Sequence, residues 1–242
     1  MTTVAVLADP PVEGAVLPGL AGGPLDESEA TALYTAMLTD VCRAVEASGA
    51  ELLVNYRPAE QVPDVVDPEA AVREPLDAAL DAPDEARYEV QVGSTHAARV
   101  GNTVTHLLER EGVKTAAAVT PTAGLLTRQL IDSAAMKLRS SGVVLGPSTD
   151  GRVYYAGFAE PIDFEDADAT PTVETLTDRA MDADLGVDFL PTTPVVETQA
   201  DLQTVVPLLR ARHRADRVVP PRTTTLINEF GLRVTADGLV RE

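Results

Sequence analysis

Asp150 is an acid set in a stretch suited to chemistry. It lies within VVLGPSTDGRVYYAGF, residues 143 to 158. Val143, Val144 and Leu145, bounded by Gly142 and Gly146-Pro147, read as a strand covered on both faces. Ser148-Thr149-Asp150-Gly151 is turn chemistry, and Val153, Tyr154, Tyr155 and Phe158 resume strand-forming composition. Asp150 is thus expected at a strand end, where α/β sheets keep their ligand crevices. Glu197 is a second such acid. It follows Pro194-Val195-Val196 and precedes a helix expected from Thr198. Carboxylates from separate strand ends, together with substrate phosphates, are what Mg²⁺ or Mn²⁺ takes as ligands. The plainer alternative is that Asp150 shapes its turn and Glu197 supports a helix N-terminus.

Other candidates are less specific. The loop from Asp9 to Leu25 sits between the first expected strand and helix, where a phosphate-cradling loop belongs, and carries Gly14, Gly19, Gly22 and Gly23. It lacks the dinucleotide spacing and any Lys or Arg, while Asp9 and Glu13 add negative charge; a surface loop accounts for it equally. Arg99, near the start of a helix, is placed to meet a phosphate or to form an ordinary ion pair. His96, His106 and His213 show no ligand spacing and read as surface or interface residues. No serine sits in a nucleophile elbow. Cys42, the single cysteine, falls inside a helical pattern and reads as an inert buried thiol. Tyr154 and Tyr155 suit base stacking, though strand packing explains them without a ligand.

The formal charge is −19, and only two of the 19 basic residues are lysine, Lys114 and Lys137. Acids dispersed along the chain with scarce Lys suit a cytoplasm rich in salt, which screens self-repulsion. Such a charge argues against nucleic-acid partners. No apolar run approaches the ~20 residues of a membrane span, and the N-terminal residues lack a signal-peptide pattern, so a cytoplasmic protein is expected.

The elements that must hold these residues alternate. Strands are expected at Thr3–Ala8, Leu52–Tyr56, Tyr88–Val92, Thr115–Val119, Val143–Leu145, Val153–Phe158 and Val187–Leu190. Helices are expected after Asp26 (with Glu29 completing a capping box), near Glu69–Leu80, through Val100–Leu108, and over Thr127–Ser140, Thr172–Ala183 and Thr198–Arg212. The segment from Arg57 to Arg87 is an acidic excursion broken by five prolines. This is the pattern of a single α/β domain with a mostly parallel sheet and helices on both faces. The domain is expected over 1–213, followed by an extension over 214–242 that closes in a hairpin turning at Asp237-Gly238.

Five segments in order carry a resemblance. They are ADPPVEGAVLPGL with ESEATALY, QVGSTHAARV, GPSTDGRVYYAG, ATPTVETL and VVETQADL. Together, over about residues 3 to 212, they resemble the small glycosyltransferase-A-like family of nucleotide-diphospho-sugar transferases, related in fold to molybdenum-cofactor and phospholactate nucleotidyltransferases. The resemblance implies a glycosyltransferase-A-like, Rossmann-like fold and transfer from a nucleotide-activated small molecule. It implies nucleotide contacts at Asp9, Gly14, Arg99, Thr122, Gly146 and Gly151, a catalytic Asp150, and a metal (Mg²⁺ or Mn²⁺) on Asp150 and Glu197. The chain departs from the family pattern. Leu17 and Gly19 stand where Lys and Arg are expected, Thr122 replaces a metal-binding Asp, and Glu197 replaces an Asp. These losses leave two alternatives beside a glycosyl transferase: a degenerate binding or regulatory protein, and a nucleotidyltransferase.

Overall fold

A computed structural model describes residues 1–62 and 65–241. Pro63, one of the breaks expected in the acidic excursion, and Glu242, the end of the expected extension, lie outside the described residues. Seven strands form one sheet: β1 (Thr2–Ala8), β2 (Glu51–Tyr56), β3 (Arg87–Val90), β4 (Thr115–Val119), β5 (Val143–Pro147), β6 (Val153–Phe158) and β7 (Val187–Phe189). Their order is β3-β2-β1-β4-β6-β5-β7. All pairings are parallel except those of β6, which runs against β4 and β5. The α/β class and mostly parallel sheet expected from the sequence are therefore present.

Strand alternation builds two cores. Every residue of β1 is buried. Val4 and Val6 point into one core, and Ala5 and Leu7 into the other. On the first face lie α1 (Glu27–Glu46), α2 (Pro68–Asp77), α4 (Arg128–Lys137) and α6 (Gln199–Arg214). On the second lie α3 (His96–Thr105) and α5 (Thr172–Asp182). Local rules fix the helix starts. Asp26 accepts the Glu29 amide at 2.8 Å and Glu29 returns to the Asp26 amide at 3.1 Å, the expected capping box. Thr198 and Asp201 form a second one at α6.

The C-terminal extension differs from its expectation by an added helix. The hairpin is there as β8 (Leu232–Thr235) and β9 (Gly238–Arg241), turning through Asp237. Ahead of it, Pro221–Glu229 forms α7, which packs along α1; Ile227 and Leu232 are buried in the same core as Leu33 and Met37. The run Arg222-Thr-Thr-Thr carries no local cap, because the Pro220 ring has no hydrogen-bond acceptor. The cap comes instead from α1. The Asp40 carboxylate, 5% exposed, accepts the amides of Arg222 at 3.2 Å and Thr223 at 2.8 Å. Burial raises the Asp40 pKa, and those amide bonds pull it partly back.

This cross-helix cap gives a stability test. Asp40→Ala leaves the buried Thr223 amide and its neighbour without an acceptor, and is expected to cost about 1–3 kcal/mol in urea unfolding. Asp40→Asn keeps an acceptor oxygen and loses less. Equal losses for both variants, or none for either, would contradict the assignment.

Candidate functional site

Parallel strands present their C-terminal ends on one edge of the sheet. At β1 the connections diverge, since β2 lies on one side and β4 on the other. The chain leaves these ends in opposite directions and opens a crevice between them. A cleft of about 280 Å³ lies there, with Asp9 after β1, Arg57 after β2, Gln91 after β3, Thr120 and Thr122 after β4, and Arg99 from α3. Gln91 is buried; its amide nitrogen donates to the Ala8 carbonyl at 3.3 Å and the Asn55 carbonyl at 2.7 Å. It thereby fixes the spacing of the first two strand ends.

Two arginines define the charge of this cleft. Arg57 donates from Nη2 to Asp9, whose own amide donates to the Tyr34 hydroxyl at 2.7 Å. Arg99 forms no ion pair among the described residues. The Nε atoms of both Arg57 and Arg99 are buried without a partner. Burial, and then the charge of Arg57, lower the Arg99 pKa. Two guanidinium groups at one crevice, only one of them paired with an acid there, are chemistry that suits an anion. His96 shares the cleft. It is exposed at the surface of the cleft, and the protein around its ring, then the charge of Arg99, lower its pKa.

Beyond His96 the cleft adjoins an apolar hollow of about 70 Å³ between the sheet and α3 and α5. Small residues, Ala97, Ala118 and Ala156, leave the space, while Phe158 and Phe164 wall it. Leu7, His96 and Thr120 border both spaces.

The acids converge on Arg152, at the start of β6. Because β6 runs antiparallel, its beginning lies beside the other strands' C-terminal ends. Arg152 Nη1 donates to Glu197 at 3.0 Å and to Asp201 at 2.9 Å. Nη2 donates to Thr149 Oγ1 at 2.8 Å, to Asp201 and, at 3.4 Å, to Asp150. Burial raises the Asp201 pKa, but its bonds from Arg152, the Glu197 amide and Thr198 outweigh this and leave it below the usual carboxylate range. Glu197 also accepts from Thr122 at 3.1 Å.

The candidate residues thus fall into groups. Asp9, Arg99, Thr122 and Glu197 line one cleft. Asp150 reaches that group only through Arg152 and is 86% exposed, with φ 58° in a short 3₁₀ turn. Gly151, at φ +71°, lies against Pro171, where a Cβ would approach within 2.6 Å. Gly146 packs under the Tyr154 ring. Gly14 borders a separate hollow with Asp26, Glu27 and Glu29 at the start of α1, an acidic setting for a phosphate. Sequence reading passed over Arg57, Gln91 and Asp201. The signal for Arg57 is its place directly after a strand, the rule that singled out Asp150.

A divalent cation on Asp150 and Glu197 does not fit this donor set, because the Arg152 guanidinium already holds both carboxylates. Among the described residues, the three potential metal-binding side chains that come together are Glu89, His106 and Glu111, beside edge strand β3. Arg87 bonds both of those glutamates.

No protein-family model matches the chain, and no curated protein matches it. Solved structures do. A provisionally named nucleotide-diphospho-sugar transferase from Desulfovibrio desulfuricans superposes with a TM-score of 0.77 at 19% identity, over 94% of each chain. A CMP:2-keto-3-deoxy-manno-octonic acid synthetase complexed with CTP gives 0.51 at 10% identity, over 87% of this chain and 99% of that one. A cytidylyltransferase from Leptospira borgpetersenii gives 0.51 at 10% identity over 94% of each chain. At these identities the likeness is one of fold.

The Asp201 network predicts an acid-dependent loss of stability. A carboxylate whose folded pKa is depressed stabilises fully above its unfolded pKa of about 3.9, and that contribution disappears as pH falls through the folded value. Asp201→Asn is expected to cost about 3 kcal/mol at pH 7 and to flatten the stability–pH curve below about pH 4. An unchanged curve would remove Asp201 from this role.

Proposed function

We propose that this protein binds a nucleotide-activated small molecule, a nucleoside diphospho-sugar, at the strand-end cleft and transfers its glycosyl group. The observation that carries this reading is the convergence of two guanidinium groups, Arg57 and Arg99, on one cleft at the divergence of β1 and β4, with Arg99 in no ion pair among the described residues. The donor's diphosphate lies against the two guanidinium groups. An acceptor hydroxyl enters from the adjoining hollow, past His96. Its oxygen forms a bond to the anomeric carbon, and its proton passes to the unprotonated nitrogen of His96. The bond from that carbon to the diphosphate breaks, and the nucleoside diphosphate leaves with the electron pair toward Arg57 and Arg99. Asp9 orients Arg57, while Thr122 and Glu197 shape the opposite wall; Asp150 acts through Arg152. A magnesium- or manganese-assisted version on Asp150 and Glu197 requires Arg152 to move away from both acids, so no step is routed through a metal.

A binding or regulatory role without transfer is the second reading. It is favoured by the pairing of every acid at the cleft, since Asp9 is engaged by Arg57, and Glu197 and Asp201 by Arg152. Nucleotidyl transfer is less well supported: a triphosphate at the Gly14 loop would face Asp26, Glu27 and Glu29.

The −19 charge suits a salt-rich cytoplasm, so calorimetric titration with nucleoside diphosphates and sugar nucleotides belongs in molar potassium chloride. Arg57→Ala and Arg99→Ala are each expected to weaken binding about 10-fold or more, the worth of a charge-assisted hydrogen bond. Absence of nucleotide binding to the unaltered protein would end this reading. With a transferred sugar in hand, His96→Gln is expected to lower kcat by about 10²-fold or more. It should also remove the loss of rate on the acid side of the wild-type profile, where His96 takes up a proton. Tight binding with no product in a single turnover would favour the binding role.

A further inference from the structure

We infer that Arg152 occupies the cation position of this cleft, so that the protein binds its anionic ligand without a divalent metal ion. The inference rests on the nucleotide reading above for the identity of the ligand, but not for its metal arm. Arg152 is 20% exposed in its side chain. Its guanidinium is surrounded by oxygen: Glu197, both oxygens of Asp201, Asp150, the Thr149 hydroxyl and, at 3.2 Å from Nε, the Thr149 carbonyl. Carboxylate, hydroxyl and carbonyl oxygens from two segments are the ligand types a hard divalent cation selects. Here they meet a side chain that cannot lose its charge.

Asp201 is not free to turn toward a metal. Asp201 Oδ2 accepts the Glu197 amide at 3.0 Å, the Thr198 amide at 2.9 Å, the Thr198 hydroxyl at 2.9 Å and Arg152 Nη1 at 2.9 Å. Drawing it to a metal would break the cap of α6. A metal would also stand beside a guanidinium stripped of its acceptors, with like charges in contact. Among the described residues, Asp150, Glu197 and Asp201 do not bring three potential ligand atoms within 4.8 Å of one another. Thr122, which supplies no charge, completes the set by donating to Glu197 at 3.1 Å. Positive charge at the cleft is therefore held in fixed side chains, Arg57 and Arg99 in its lining and Arg152 behind Glu197.

The test has a metal arm and a nucleotide arm. In the metal arm, Mn²⁺ is titrated by electron paramagnetic resonance in a Glu111→Gln background, which silences the cluster beside β3. That parent should show no saturable site that Glu197→Gln removes. Arg152→Met, which keeps the aliphatic stem and frees the acids, should gain one saturable Mn²⁺ site, abolished again by Glu197→Gln. A parent site lost on Glu197→Gln, or no gain in a folded Arg152→Met protein, overturns the inference. If Arg152→Met does not fold, the parent titration with and without Glu197→Gln decides alone. In the nucleotide arm, the affinity of the unaltered protein for uridine or cytidine diphosphate should agree within twofold in EDTA and in millimolar Mg²⁺. Binding that requires Mg²⁺ overturns the inference and leaves the nucleotide reading standing. No binding in either condition removes the nucleotide reading, while the Mn²⁺ titration still decides the role of Arg152.

Discussion

The divergence at β1 is the constraint from which the site follows. A strand flanked by parallel partners on both sides must send its outgoing chain over one of them. Its second partner then sends its own chain the other way. In this protein that leaves Asp9 and Thr120 at one opening. Residues at the ends of β1, β2, β3 and β4 arrive at one place although they are separated by as many as 113 positions in the chain, the separation that β1–β4 pairing spans at Thr2 and Thr115. The antiparallel β6 adds to this edge what a parallel strand would not: its first residues, and with them Arg152.

The same geometry explains what was legible in the sequence. Strand and helix positions rest on local periodicity, and the capping box of Asp26 with Glu29 is confined to four consecutive residues. Such features can be read without a fold. The helix of Pro221–Glu229 could not be read so directly, because its cap is Asp40, 183 positions from Thr223. Its sequence, three threonines after two prolines, is weak in helix propensity. Packing on α1 and a borrowed carboxylate supply what the local sequence lacks. Arg57 was hidden in a different way. It begins a proline-broken acidic excursion and so resembles loop, although strand pairing with β1 fixes the backbone just ahead of it.

Acidity obscured the site further. In a chain with 38 acids, a carboxylate in a turn is conspicuous whether or not it is engaged. Asp150 stood out for its glycine-proline surroundings and is largely exposed. Asp201 reads as one more acid at a helix start and is 4% exposed, with both oxygens engaged. Burial separates the two, and burial depends on the tertiary fold. The loop after β1 shows the converse. Its glycines suggest a phosphate cradle, yet it folds back toward Glu27 and Glu29, and Arg241 of the closing hairpin pairs with Glu29 at 2.6 Å.

Positive charge is scarce in this protein, and its placement is therefore informative. An arginine in such a chain finds acids easily, as Arg87 does with three glutamates. Arg99 finds none within ion-pairing distance among the described residues, though Asp9 and Asp168 are near enough to act on its charge. Holding it beside Arg57 works against both charges, and leaving two Nε groups dry adds a desolvation cost. A surface under selection only for solubility would put an acid between them. The cleft instead pairs Asp9 with Arg57 alone, and holds Glu197 on the far side, where Arg152 and Asp201 immobilise it. The result is a divided wall, with the Arg57–Asp9 pair and Arg99 on one side and the Glu197 carboxylate held by Arg152 on the other. The donor proposed above fits that division with its diphosphate toward Arg57 and Arg99 and its hydroxyl-bearing end toward Thr122 and Glu197.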